Sequence, residues 1–415
     1  MWPHLIEDNP AFQQWTLLLV PALLGYLCLV LFLRHRRARD LQKRFSPAGR
    51  ASFARMTTDE AHAVLEDLTE LEFPKLFGFS IIFALFKTYG IPSVSSLLVA
   101  TGQLADTETA SKRIADTGVL LLEFALNAPT SERTIQAIAR MNFLHARYQK
   151  AGKITNDDLL YTLSLFALEP SRWVEKYEWR CLTDLELCAC GTFWKSMGDA
   201  MEISYKHLPS REWKDGLHWL HEVEGWSKTY EESHMVPAST NKQLADSHVE
   251  ILCINVPPRF LGLCKKMISV LLGERLRKAM MYPEFPPTYH VLINGLLGAR
   301  KLVLRHCALP RPEFMRKRYI PSGPNSAGRY NSVEYLSYPW YVKPSLGKRW
   351  GPRSWITRLV GRKLPGDDGN RYASEGWSFT ELGPQALKNK GIEDMSHTRA
   401  HLTKKSRGGC PFAMA

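Results

Sequence analysis

The chain lacks most of the short signatures that would classify an enzyme on sight. It has no Gly-rich phosphate loop, no dinucleotide fingerprint, no Gly-x-Ser-x-Gly and no His-Glu-x-x-His. The residues that would seat a nucleotide, an acyl intermediate or a protease zinc are therefore missing. Eight cysteines in 415 residues form no disulfide ladder, and Cys188-Ala189-Cys190 is too tight for the usual zinc pair. These thiols are expected reduced and buried, in a cytosolic compartment. No Asn-x-Ser/Thr acceptor occurs, in agreement with a body that never meets the lumen. There is no internal repeat, and no segment of useful length alternates with a strand's period before residue 310.

Acidic charge is also short. Against 41 Asp/Glu stand 54 Lys/Arg, a formal charge of +13, and from Arg311 onward nineteen basic residues face eight acidic ones. No recognition motif accompanies this excess, so nucleic acid is not the expected partner. A body held beside anionic headgroups accounts for it, because each basic group there gains about 1 kcal/mol. Apolar residues are plentiful: 45% hydrophobic with 23% charged is the balance of a chain that folds around a real core.

One apolar run stands apart. Trp15 to Leu33 reads WTLLLVPALLGYLCLVLFL, without a charge. At about 1.5 Å per residue it reaches roughly 28 Å as a helix, close to the thickness of a thin bilayer's hydrocarbon core. Trp15 stands where an interfacial anchor belongs, and Pro21 and Gly25 are tolerable in such a span. Arg34, Arg36, Arg37, Arg39, Lys43 and Arg44 follow it, whereas Glu7, Asp8 and His4 precede it. The positive-inside rule puts the N-terminus in the lumen and the rest in the cytosol. A cleaved signal peptide does not fit, since no basic n-region precedes the run and Arg-rich sequence replaces a cleavage site. The default address is the endoplasmic reticulum membrane, with the bilayer as a partner.

Past a basic linker (34–54), helical period dominates. Thr57 or Thr58 caps a helix bearing Ala61, Val64, Leu65, Leu68 and Leu71 on one face. Leu76–Phe86 is apolar all round but too short to span; it is a core helix or one dipping into the headgroups. Further helices are expected over Pro92–Leu104, Thr107–Leu126, Ser131 to about Lys150 with Gly152 as the stop, and from Thr155 onward. A capping box, Thr183-x-x-Glu186, opens a helix to about Tyr205. Pro209 starts another, and two more cover Arg259–Met280 and Thr288–Arg305. Beyond Pro310 periodicity is lost among Gly, Pro, Arg and Tyr, as in a surface-wrapping or partly disordered tail. The expected fold is all-α: one N-terminal transmembrane helix (15–33, after a luminal 1–14), a helical domain over 55–308 and an irregular basic tail over 309–415.

Polar reagents inside apolar helices are few. His145 lies mid-helix among Met141, Phe143 and Leu144, a setting that suits either a core histidine or a haem ligand. Its side chain is expected inside the bundle, facing a cavity shared with Arg113 and Thr117. Arg113, Asp116 and Thr117 share one face of an otherwise apolar helix, as an internal ion pair or a site. His218-x-x-His221, with Glu222 and Glu224, suits an exposed face better than a di-iron centre, which wants two Glu-x-x-His repeats and two more carboxylates. Cys410 lies in the tail, a poor place for a catalytic thiolate.

From Arg113 to Ile203 the sequence resembles the fungal membrane-bound oxygenases typified by the MpaB protein of mycophenolic acid biosynthesis, distantly related to bacterial latex-clearing rubber oxygenases. The likeness rests on Arg113-x-x-Asp116-Thr117, Asn142-Phe143-Leu144-His145-Ala146-Arg147-Tyr148 with Gly152 and Ile154, and Asp158-x-x-Tyr161-Thr162-Leu163. It continues through Tyr177-Glu178-Trp179-Arg180, Leu182-Thr183-x-x-Glu186 and Trp194-x-x-x-Gly198-x-x-Met201-x-Ile203. It extends over residues 55–305. The resemblance implies a haem b oxygenase that cleaves a carbon–carbon double bond with O2 in an apolar, prenylated small molecule. It implies His145 as the axial iron ligand and Arg113, Asp116 and Thr117 as the catalytic group. Two positions depart from the rubber oxygenases: an acid, Asp116, replaces their lysine, and Asn142 replaces an arginine. The alternatives are a non-haem or di-iron membrane oxygenase using His218 and His221, and a non-catalytic membrane scaffold.

Overall fold

The structure is a computed structural model. It describes residues 10–102, 107–405 and 407–412, with side chains from Leu17 onward. The Trp15 side chain, the charges before it and Leu104 lie outside the described residues.

The described residues form seventeen α-helices and no β-strand, only an isolated bridge between Tyr330 and Trp377. The first, α1 (Pro10–Arg34), is apolar along its length and turns Leu17, Leu18, Leu23, Leu24 and Phe32 outward, each more than half exposed. A core helix would bury them. It is the one helix among the described residues long and apolar enough to cross a membrane. The basic α2 (Arg36–Phe45) continues from it.

The body opens with α3 (Thr58–Asp67), where Thr57 and Glu60 form a capping box. Next come α4 (Pro74–Thr88) and α5 (Pro92–Ala100), bent 88° from each other. Helix α4 buries Phe77, Phe83, Ala84 and Phe86, so the Leu76–Phe86 stretch is a core helix. Then follow α6 (Thr107–Leu126), α7 (Glu132–Lys150), α8 (Asn156–Tyr177), α9 (Asp184–Ala200), α10 (Gly216–His234) and α11 (Ser239–Leu252). Helices α4 and α8, α9 and α10, α3 and α9, and α6 and α7 pack pairwise, with α11 against α5 and α6. The α9–α10 crossing is close because Gly191 meets Gly216; a Cβ on either would collide with the other helix.

Ser131, Thr155 and Thr183 cap as their spacing predicts, and Gly152 (φ +65°) ends the α7 segment. Four boundaries differ. Helix α5 stops at Ala100 and α9 at Ala200. Helix α10 begins at Gly216, not Pro209, because the Asp215 side chain accepts from the His218 N–H. The Arg259–Met280 stretch breaks at Gly273 (φ +77°) into α12 (Leu261–Leu271) and α13 (Glu274–Ala279). Helix α14 (Pro287–His306) packs on α12, α8 and α1. The thiols are all free; Cys188, Cys190 and Cys253 are buried, while Cys28, Cys181 and Cys307 are exposed, unlike the expectation that all would be buried.

Beyond Pro310 the chain is largely irregular, with short α15 (Leu346–Trp350) and α16 (Pro352–Leu359). It wraps the bundle and ends in α17 (Ile392–Lys404), which packs along α7. The fully buried guanidinium of Arg140 holds this strap: it donates to the carbonyls of Leu382, Leu387 and Lys390 at 2.8–2.9 Å.

Candidate active site

Helices α6 and α7 pack as neighbours, and a buried ion pair between Glu123 and Arg133 (2.6 Å) fixes their register. Along α7 the fully buried stretch ends at Arg140, and Met141 to His145 are half-buried. His145 is deep enough that burial, and then the positive charge of Arg113, push its pKa down to about 4. The imidazole is neutral at pH 7. Among the described residues neither of its nitrogens has a hydrogen-bond partner.

Arg113, on α6, is in the complementary condition. No carboxylate or carbonyl of the described protein pairs with its guanidinium. Burial lowers its pKa, while Tyr89, Tyr148 and Asp116 pull the other way. Thr117 follows one turn later, half-buried. Structure thus brings Arg113 and His145 within electrostatic reach of one another across the α6–α7 contact.

Asp116 faces elsewhere. Its carboxylate accepts from Lys112 Nζ at 2.7 Å, from the Tyr341 hydroxyl at 2.5 Å and from the Gly383 N–H at 3.1 Å. Burial raises its pKa against those three donors. Beside it, Trp340 Nε1 donates to Ser111 Oγ at 2.9 Å. A cavity of about 280 Å³ opens here, lined by Lys112, Arg113, Asp116, Trp340, Gly383 and Gln385 among others. Arg113 lines it, and Thr117 and His145 do not.

Sequence reading missed Lys112, Trp340, Tyr341 and Gly383. Lys112 was discoverable, since it stands four residues before Asp116 on the same helix. The tail residues had no local signal. A second deep imidazole, His248 on α11, was also missed. It lies against the rings of Phe86 and Tyr89 (5.3 and 5.4 Å), neither nitrogen is hydrogen-bonded, and burial lowers its pKa to about 4.

The other candidates are peripheral. His218 bonds its own helix start and Glu222, and His221 is exposed. Glu222 is occupied by Ser210 and Trp213. No three His, Cys, Asp or Glu side chains gather as metal ligands among the described residues. Cys410 Sγ sits 3.5 Å from the Ala54 carbonyl, far along the chain from this site.

No family model matches the chain. An ER-bound oxygenase mpaB' of Penicillium brevicompactum is 42% identical over 401 residues, 96% of this chain and 95% of that protein. The chain belongs to the mpaB family of oxygenases. An ER-bound oxygenase mpaB of the same species is 40% identical over 91% of this chain and 90% of its own length. Another from Penicillium roqueforti (strain FM164) is 46% identical over 65% of this chain and 92% of its own. It is thus an oxidoreductase, with a small-molecule substrate and O2.

The remaining motif residues are held in structural contacts. Glu186, the capping-box acid of α9, also accepts from both terminal guanidinium nitrogens of Arg180 at 2.7 and 2.8 Å. Arg180 reaches Glu72 as well, and Glu72 pairs with Arg37 of α2. Trp179 lies under the Arg34 guanidinium at 4.1 Å. In this mpaB-type chain the Glu178–Arg180 motif bolts the end of the apolar helix to the bundle.

Proposed function

We propose that this oxygenase is haem-dependent and cleaves a carbon–carbon double bond in the prenyl side chain of a mycophenolic-acid-type meroterpenoid. It would work at the endoplasmic reticulum membrane, with its N-terminus in the lumen and its body in the cytosol. The observation that carries the cofactor is His145: a neutral imidazole that, like the nearby Arg113 guanidinium, has no hydrogen-bond partner among the described residues. That donor set fits one axial bond to haem b iron. Haem would supply the binding and activation of O2. The chain's own residues supply the surroundings. Arg113, without an ion-pair partner among the described residues, places positive charge at the cavity where negative charge can develop. Asp116, with its raised pKa, and Lys112 beside it can hold or pass a proton. Thr117 adds a hydroxyl on the same face. The apolar α1 suits a greasy substrate drawn from the bilayer. The di-iron reading has no such support, because His218 and His221 lie at the surface.

The absorbance spectrum of the purified chain tests this reading. A Soret band is expected, lost with all alkene cleavage in His145→Ala and kept in His218→Ala and His221→Ala. Added imidazole controls for packing, since a core cavity alone costs about 2–5 kcal/mol, and imidazole can ligate iron without repairing the fold. A His145→Ala protein with an unaltered Soret band and full turnover would end the axial assignment.

A further inference from the structure

Helix α14 is amphipathic in the wrong sense for water. Two of its basic residues turn toward α8, while Arg305 in the last turn is exposed: Arg300 donates to the Tyr177 carbonyl and pairs with Glu178 at 2.7 Å, and Lys301 donates to the Glu175 carbonyl at 3.1 Å. They satisfy the carbonyl end of α8, where cations belong. Only Ile293 is buried. Val291, Leu292, Leu296, Leu302 and Val303 are 56–71% exposed. At about 100° per residue these five span an arc of about 140° that holds no Asp, Glu, Lys or Arg, and His306 in the last turn is the ionisable side chain on it. Patches of this kind on a soluble protein mark an interaction surface.

What covers the face is set by where the helix ends. The Tyr26 hydroxyl of α1 donates to the Cys307 carbonyl, just past α14, at 2.8 Å. Arg34 donates to the Ala308 carbonyl and Arg37 to the Arg311 carbonyl. The chain from Cys307 to Arg311 therefore climbs along α1 from Tyr26 to the basic run. Tyr26 stands eight residues before Arg34, so about 12 Å deeper if the arginines sit among headgroups. Phe314, three residues after Arg311, is 87% exposed.

We infer that the outward face of α14 is embedded in the cytosolic leaflet beside α1, a second and monotopic membrane contact whose partner is lipid acyl chain. This rests on α1 being the membrane anchor. The contact would fix the tilt of the body on the bilayer, which a single hinge-like helix cannot do.

The full-length chain in phosphatidylcholine–phosphatidylserine vesicles carrying a tail-located diazirine phospholipid tests this. After photolysis, mass spectrometry should find lipid adducts on α1 and on the α14 residues from Val291 to Val303. The double variant Leu296→Glu/Val303→Glu should lose the α14 adducts and keep those on α1, with helicity unchanged. Adducts on α1 alone, or a crosslink joining two copies through this face, overturn the inference and leave the anchor intact. Adducts on α14 alone overturn the anchor instead; adducts on neither overturn both.

Discussion

At Asp116 one side chain serves two partners. Its negative charge acts on Arg113, and it is also the post to which Tyr341 ties the tail. The two roles separate by substitution. Asp116→Asn keeps the shape, and haem content should hold while turnover falls by roughly 10²–10⁴, the range for a lost acid–base group. Tyr341→Phe removes the tie and keeps the carboxylate, so it should cost about 1 kcal/mol of stability with turnover almost whole. Equal losses of turnover in both would return Asp116 to a structural post. His248 carries a pH prediction. Unfolded, it takes a proton near pH 6.5; folded, burial holds it neutral down to about pH 4. Its contribution is complete above pH 6.5 and drains away as pH falls toward 4, by about 1.4 kcal/mol per unit, roughly 3 kcal/mol in all. His248→Leu should match or exceed the parent at pH 7, since neither nitrogen has a partner to lose. It should also fall less steeply between pH 6.5 and 4. Parallel thermal unfolding curves across that window would contradict this.

At the scale of elements, the tail is a wall of the site. Gly383 (φ +107°) lies against Leu144 and Gly391 (φ +79°) against Phe143, the two residues before His145. Arg140 holds the loop between them by three carbonyls. Arg140→Leu strips three buried acceptors at once and should cost about 3 kcal/mol or more. Native-state hydrogen exchange should show α17 and the Leu382–Gly391 loop opening while α8 and α9 stay protected. Uniform protection would show the strap held by apolar packing alone. The sequence read the caps of α3, α7, α8 and α9 well because a cap is a local bond over three residues. It passed over α17 because Gly391 opens that helix with no side-chain cap, and only Met395 and Leu402 on it are buried. It started α10 at Pro209 because a proline marks helix starts in general, whereas here Asp215 does the capping.

At the scale of the whole molecule, the anchor and its flanking charges set the orientation. The charge step across α1 predicts that protease added to sealed microsomes digests the body and leaves a short luminal stub. A protected body would reverse the orientation. The apolar span, the bundle period and the caps were written in the sequence, because each depends on neighbours within one or two helical turns. So was the order of family motifs. Tertiary structure decided the rest. It paired Asp116 with a tyrosine 225 residues away, turned Glu178 to Arg180 into the bolt under α1, left Arg113 and His145 without hydrogen-bond partners among the described residues, and set Arg300 and Lys301 of α14 against α8. Those outcomes depend on which surfaces meet across long stretches of chain. A helix's period says that it has an apolar side, but only packing says whether that side faces the core or the lipid.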